Sequence, residues 1–257
     1  MDKMDRASQG ARPMLVTLLF VVCSAFAAAL LRGLTGFGFA IAAVPLLSLA
    51  LPPSRVVVLA VVLQVLASLF DLRSAARITD WHSLRWLTPG LIIGTPLGLW
   101  LLTRLPANDA RLMIGLLILG SVVLLGRGLR LPSKPPHWMT GLVGLASGLM
   151  NGLAAMSGPP VMAFLMALPH DAKVVRATGM VFFTFTAVVA TIPMAIAGLL
   201  DQQIGLFALL AWPALLVGTR LGAWGFHRLT ALHHRRLALT TLTVLALMLI
   251  LRSFGTG

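Results

Sequence analysis

Apolar runs broken by short polar connections fill most of the chain. Membrane-type helical segments are expected at residues 14–31, 39–51, 56–72, 87–102 and 110–125. After a polar gap the pattern resumes at 138–155, 160–168, 174–200, 204–226 and 237–251. A bilayer core takes about 20 apolar residues per helical crossing, so most of these runs are long enough to span. Pro52-Pro53 ends the second run, since proline forbids helix continuation. Residues 73–85 are polar enough to lie at a membrane surface, with Trp81 and Trp86 as interfacial anchors. The organisation expected is a polar tail at 1–12, a first transmembrane repeat at 13–126, a basic Pro-rich linker at 127–137 and a second repeat at 138–253.

Two stretches interrupt the apolar pattern. The first is Arg32-Gly33-Leu34-Thr35-Gly36-Phe37-Gly38, where three glycines in six residues disfavour a continuous helix. The second holds Gly148, Asn151-Gly152 and Ser157-Gly158-Pro159-Pro160. Each is followed by a short apolar run, so each half opens with a broken helix pair.

The halves also match directly. Residues 94–111 and 218–235 share 9 identities in 18 positions, among them Gly94/Gly218, Thr95/Thr219, Gly98/Gly222, Trp100/Trp224 and Arg104/Arg228. Internal duplication is a mark of transporter folds. Three long helices follow each broken pair, which makes the number of crossings per half odd. The fold class expected is therefore an all-α polytopic membrane protein of two similar halves arranged as an inverted repeat. Basic residues fall mainly in connections that are cytoplasmic if the N-terminus lies outside.

Composition agrees with a membrane setting. The chain is 58% hydrophobic and 11% charged, with a mean hydropathy of +0.95, against about 25% charged in soluble domains. The net charge of +13 is spread over short connections, which argues for anionic headgroups rather than nucleic acid. All seven acidic residues are Asp, in or beside the connections. Cation-driven carriers usually hold a carboxylate inside the membrane, so an anionic or neutral substrate is favoured. Cys23 is alone and the six histidines lie in or near connections, so no metal, cofactor or catalytic constellation is expected.

A helix that starts at an intramembrane break offers unpaired N–H groups and partial positive charge to an anion. The substrate site is expected at Thr35, Gly36, Phe37, Gly38, Gln64, Asn151, Gly152, Ser157, Gly158, Pro159 and Pro160. Gln64 serves either as site lining or as glue between helices. Arg32 and Arg220 either attract anions or anchor at the interface. Gly141, Gly144 and Gly148 have the spacing of a helix-packing stripe, and Thr178, Thr184 and Thr186 are expected to bond back to their own helix.

Gly33-Leu34-Thr35-Gly36-Phe37-Gly38-Phe39 leading to Pro45, the matching break up to Pro160 and the two similar halves resemble the TauE/SafE sulfite and organosulfonate exporter family. The resemblance covers nearly all of the chain after residue 13. It implies transport of small sulfur-containing anions. Many members carry three consecutive glycines at each break, where this chain has Gly36-Phe37-Gly38 and Ser157-Gly158-Pro159-Pro160. That departure suggests a larger or less polar anion than sulfite.

The function expected is a secondary transporter in the bacterial inner membrane, not an enzyme, moving a small anion by alternating access around the two breaks. Its partners are that anion and the lipid bilayer, with a homo-oligomer allowed. The alternative is an assembly or scaffold protein whose breaks serve helix packing.

Overall fold

The computed structural model describes residues 2–35, 39–68, 72–126, 131–132 and 135–226, with isolated positions between 240 and 251. Among these, every regular element is helical. The order is α1 (Asp2–Thr35), α2 (Phe39–Leu47), α3 (Pro53–Ser68), α4 (Leu72–Ala76), α5 (Trp81–Arg104), α6 (Ala107–Gly126), α7 (His137–Ala154), α8 (Gly158–Ala167), α9 (Ala172–Ile196) and α10 (Gln202–Phe226). The tail expected at 1–12 is thus helical from Asp2 and continuous with α1. The last expected helix, at 237–251, lies almost wholly outside the described residues.

Five stretches are long and apolar enough to cross a membrane: Leu15–Gly33, Trp81–Arg104, Ala107–Leu124, Lys173–Ile196 and Gln202–Gly225. The chain is a multi-pass membrane protein. α3 has 16 residues, about 24 Å at 1.5 Å per residue, and lies in the core with Val56 to Val61 all buried. α2 and α8 have nine and ten residues, about 14–15 Å, half of a 30 Å hydrocarbon core. Neither can cross. Both are buried almost throughout.

Instead α8 folds back beside α7. At the start of α7 the His137 ring stacks on Trp86, near the start of α5, with centroids 4.1 Å apart. Past the end of α8, His170 meets Asp80, the N-cap of α5, at 3.1 Å. The Leu131 N–H, ahead of α7, donates to the Ala167 carbonyl at 2.8 Å. Both ends of the α7–α8 pair therefore lie where α5 begins, and the pair is a re-entrant hairpin. In the first half the chain after α2 returns to the start of α10, where Arg55 donates to Gln203 at 2.6 Å and to Asp201 at 3.3 Å.

Glycine sets which long helices pair. α5 and α7 run parallel, and a Cβ on Gly152 would fall on the Thr95 carbonyl and within 3.0 Å of Leu99 N and Gly98 C. α1 and α10 also run parallel, and a Cβ on Gly33 would fall on the Thr219 carbonyl and within 3.0 Å of Ala223 N and Gly222 Cα. Thr95/Thr219, Gly98/Gly222 and Leu99/Ala223 are equivalent positions of the matched stretches. One close contact is thus made twice, each time between the two halves. The other side of the same motif faces outward, with Trp100 and Trp224 each 59% exposed. The duplicated stretch therefore carries a packing face and a lipid face.

Boundaries repeat as well. α1 ends at Thr35 and α7 at Ala154, α2 begins at Phe39 and α8 at Gly158, and α3 begins at Pro53 and α9 at Ala172, each 119 positions later. The offset is 124 at Gly94 and Gly218, so the second half carries five extra residues between these points.

Asp80 joins three elements. It accepts from the N–H groups of His82 and Ser83, it meets His170, and its own N–H donates to the Thr178 hydroxyl at 2.9 Å. Thr178 therefore ties two helices together, whereas Thr184 and Thr186 bond back to the carbonyls of Met180 and Phe183. Burial works against the charge on Asp80, but the bonds from Ser83 and the pairing with His170 outweigh it and hold the carboxyl below its ordinary value. A lowered carboxylate stabilises fully above about pH 4, and that stabilisation is lost as pH falls through the lowered value. Asp80→Ala should lower the melting temperature at pH 7 by an amount matching about 1 kcal/mol of lost capping. Below pH 4 the variant should fall less steeply than the parent in detergent melts.

Candidate functional site

α1 ends at Thr35 with Arg32 in its last turn. The chain resumes as α2 at Phe39, and Gly36, Phe37 and Gly38 lie outside the described residues. In the second half α7 ends at Ala154, and Ala155 takes a left-handed conformation at φ 55°. Its N–H bonds the Asn151 carbonyl at 2.7 Å, and the Met156 N–H reaches back to Met150 O at 3.1 Å. This is a left-handed (αL-type) helix stop, with alanine where glycine is usual. α8 then starts at Gly158, with prolines in its first turn.

The structure brings residues flanking both breaks to one cleft. From the first half it is lined by Arg32, Phe39, Ala40, Ile41 and Gln64, and from the second by Ala155, Met156, Ser157, Gly158 and Phe183. As it stands the cleft encloses about 30 Å³, narrow beside the ~300–1,000 Å³ of ordinary small-molecule sites. Arg32 is the charged side chain of this lining. It stands beside the start of α2, whose first N–H groups have no partner within the helix. Both features favour negative charge.

The expected site residues divide. Arg32, Gln64, Ser157 and Gly158 line the cleft. Gln64 is also glue: its Nε2 donates to the Phe183 carbonyl at 3.2 Å and so joins α3 to α9. Ser157 lies 3.0 Å from the Thr186 hydroxyl, and Asn151 Nδ2 donates to the Thr186 carbonyl at 2.9 Å. These two side chains hold the second break against α9, and Asn151 is absent from the lining. Gly152 packs on α5. Pro159 and Pro160 supply the fixed first turn of α8. Thr35 closes α1, its side chain outside the described set. Arg220 is exposed on α10, away from the cleft lining.

Phe39, Ile41, Met156 and Phe183 are lining residues that the sequence reading missed. Phe183 lies within a long apolar run with nothing local to mark it. Its signal is positional: offset by 119, it occupies the place of Gln64.

Comparison with known proteins gives a consistent result. Residues 21–249 match the family model described as sulfite exporter TauE/SafE. A Cupriavidus necator protein named probable sulfite/organosulfonate exporter TauE is 30% identical over 200 residues, covering 73% of this chain and 76% of that relative. No solved structure matches at a significant level.

Proposed function

This chain belongs to the TauE/SafE sulfite exporter family, a family of membrane exporters, and from that premise we propose that it moves a small sulfur-containing or organic anion through the cleft between its two helix breaks. The observation that carries the reading is the lining itself: five residues from each half meet around Arg32.

Transport proceeds by alternating access between two inverted halves. In support, the α7–α8 hairpin opens where α5 begins, and the chain after α2 returns to where α10 begins. Those two places lie at opposite ends of α9, since Thr178 near its start bonds Asp80 and its far end leads directly into α10. Rocking of one half against the other would expose the cleft to each side in turn.

Thr35, Gly36, Phe37 and Gly38 complete the first break and add donors to it. Ser157 and Gly158 form the second, with Pro159 and Pro160 fixing its backbone and Asn151 and Gly152 bracing it. Arg220 acts at the interface rather than on the anion. Gly33 and Gly152 do serve close helix contacts, but packing alone does not account for Gly158. A Cβ on Gly158 would meet only the Phe183 ring, at an ordinary 3.5 Å.

Arg32→Gln should lower anion efflux from proteoliposomes by about tenfold to a hundredfold, the scale of losing a charge-assisted contact of about 1.5–3 kcal/mol. Arg32→Lys should retain part of it, and both should melt near the parent in detergent. Parent-like flux in Arg32→Gln would move the site elsewhere.

A further inference from the structure

Granted that the cleft is the substrate site, we propose that it is polar at one break and apolar at the other, and that it selects an anion bearing a short hydrocarbon body over a bare inorganic anion, with Phe183 as the specificity-determining residue. The asymmetry follows from placing the halves on their common offset of 119, which puts Phe183 where the first half has Gln64 and Gly158 where it has Phe39. The Gln64/Phe183 pair is filled with opposite chemistry, an amide against an aromatic ring, while Phe39 faces only Gly158 at its equivalent position.

At the first break the lining holds Arg32, and Phe39, Ala40 and Ile41 all keep their backbone N–H groups. At the second, Pro159 and Pro160 have none, which leaves Gly158 as the N–H donor among the first three residues of α8. The Ser157 hydroxyl is engaged with Thr186. The Met156 side chain and the Phe183 ring form the wall. The Phe183 carbonyl receives both Gln64 and Thr186, which fixes the backbone that carries the ring. Negative charge belongs beside Arg32 and the start of α2, and carbon belongs against Phe183 and Met156.

The size of the effect follows from the burial of each methylene, about fourfold in affinity. The test is the dissociation constant of the full chain in nanodiscs for sulfite, methanesulfonate, ethanesulfonate and propane-1-sulfonate. Kd should fall about fourfold per added carbon along the sulfonates, with sulfite weakest. Phe183→Gln, which gives the second half the amide of the first, should flatten the series, whereas Phe183→Leu should keep it. If Phe183→Gln does not fold, Met156→Ser should flatten the series in its place.

A flat or reversed series in the parent overturns the inference and leaves the proposed function standing, because anions still bind. A gradient that survives the polar substitution overturns it as well. Binding of none of the four would sink the proposed function together with this inference.

Discussion

Gly152→Leu is expected to abolish most of the folded protein. A Cβ at this position already falls on the Thr95 carbonyl of α5. The obstacle is backbone on both sides, so no rotamer change can relieve it, and α5 and α7 must separate. Overpacking of this kind costs about 3 kcal/mol or more. For a chain of this size that is a fall of roughly 6–12 °C in melting temperature. Gly33→Leu should do the same at the equivalent contact of α1 with α10. Gly120→Leu and Gly205→Leu are the controls, since nothing lies within 4 Å of a Cβ at either position. Size-exclusion yield and detergent melts of the four variants decide the matter. Equal behaviour of all four would mean that the helix contacts do not set stability.

Gly158→Leu should have the opposite profile, with normal folding and transport reduced to background. Its backbone is helical and its Cβ direction is open apart from the Phe183 ring at 3.5 Å. Alanine fits there in ordinary contact, while leucine must occupy the cleft. Flux in proteoliposomes should fall at least tenfold for Gly158→Leu and stay within about fourfold for Gly158→Ala, a single added methyl group of roughly 0.8 kcal/mol. Gly152→Leu and Gly158→Leu thus separate two roles of glycine a few residues apart.

That separation is what the sequence left merged. The three glycines at 33–38 and those at 148–158 read as two breaks of one kind, because a helix-disfavouring cluster looks the same whatever causes it. In three dimensions Gly33 and Gly152 are packing positions and Gly158 belongs to the cleft. The packing stripe was legible at Gly144 and Gly148, which press on the backbone of α5, while a Cβ on Gly141 would come no closer than 3.9 Å to Trp86. The duplication was legible because the matched stretch has to satisfy a close helix contact and a lipid face at once, which restricts both sides of the helix. Asn151 and Ser157 were legible as polar residues in apolar surroundings, but not their partner, since the Thr186 carbonyl and hydroxyl that take them lie on another helix. Phe183 was not legible, because one aromatic residue in an apolar run carries no periodic or polar signal. Aligning the halves on their breaks rather than on the glycine-tryptophan motif would have set it opposite Gln64.

The pairing of α1 with α10 has a consequence for how the protein is made. α1 leaves the ribosome well before α10, yet Gly33 packs against Gly222, almost two hundred residues later. Until α10 arrives, α1 lacks the surface that its small-residue face is cut to fit, and the buried α2 lacks neighbours contributed by the second half. The hairpin of the second half meets no such delay, since α5 precedes α7 in the chain. In the membrane the α5–α7 contact can therefore form before the α1–α10 contact. α1 thus waits longer for its partner than α5 does, and through that interval lipid or the insertion machinery must cover its small-residue face.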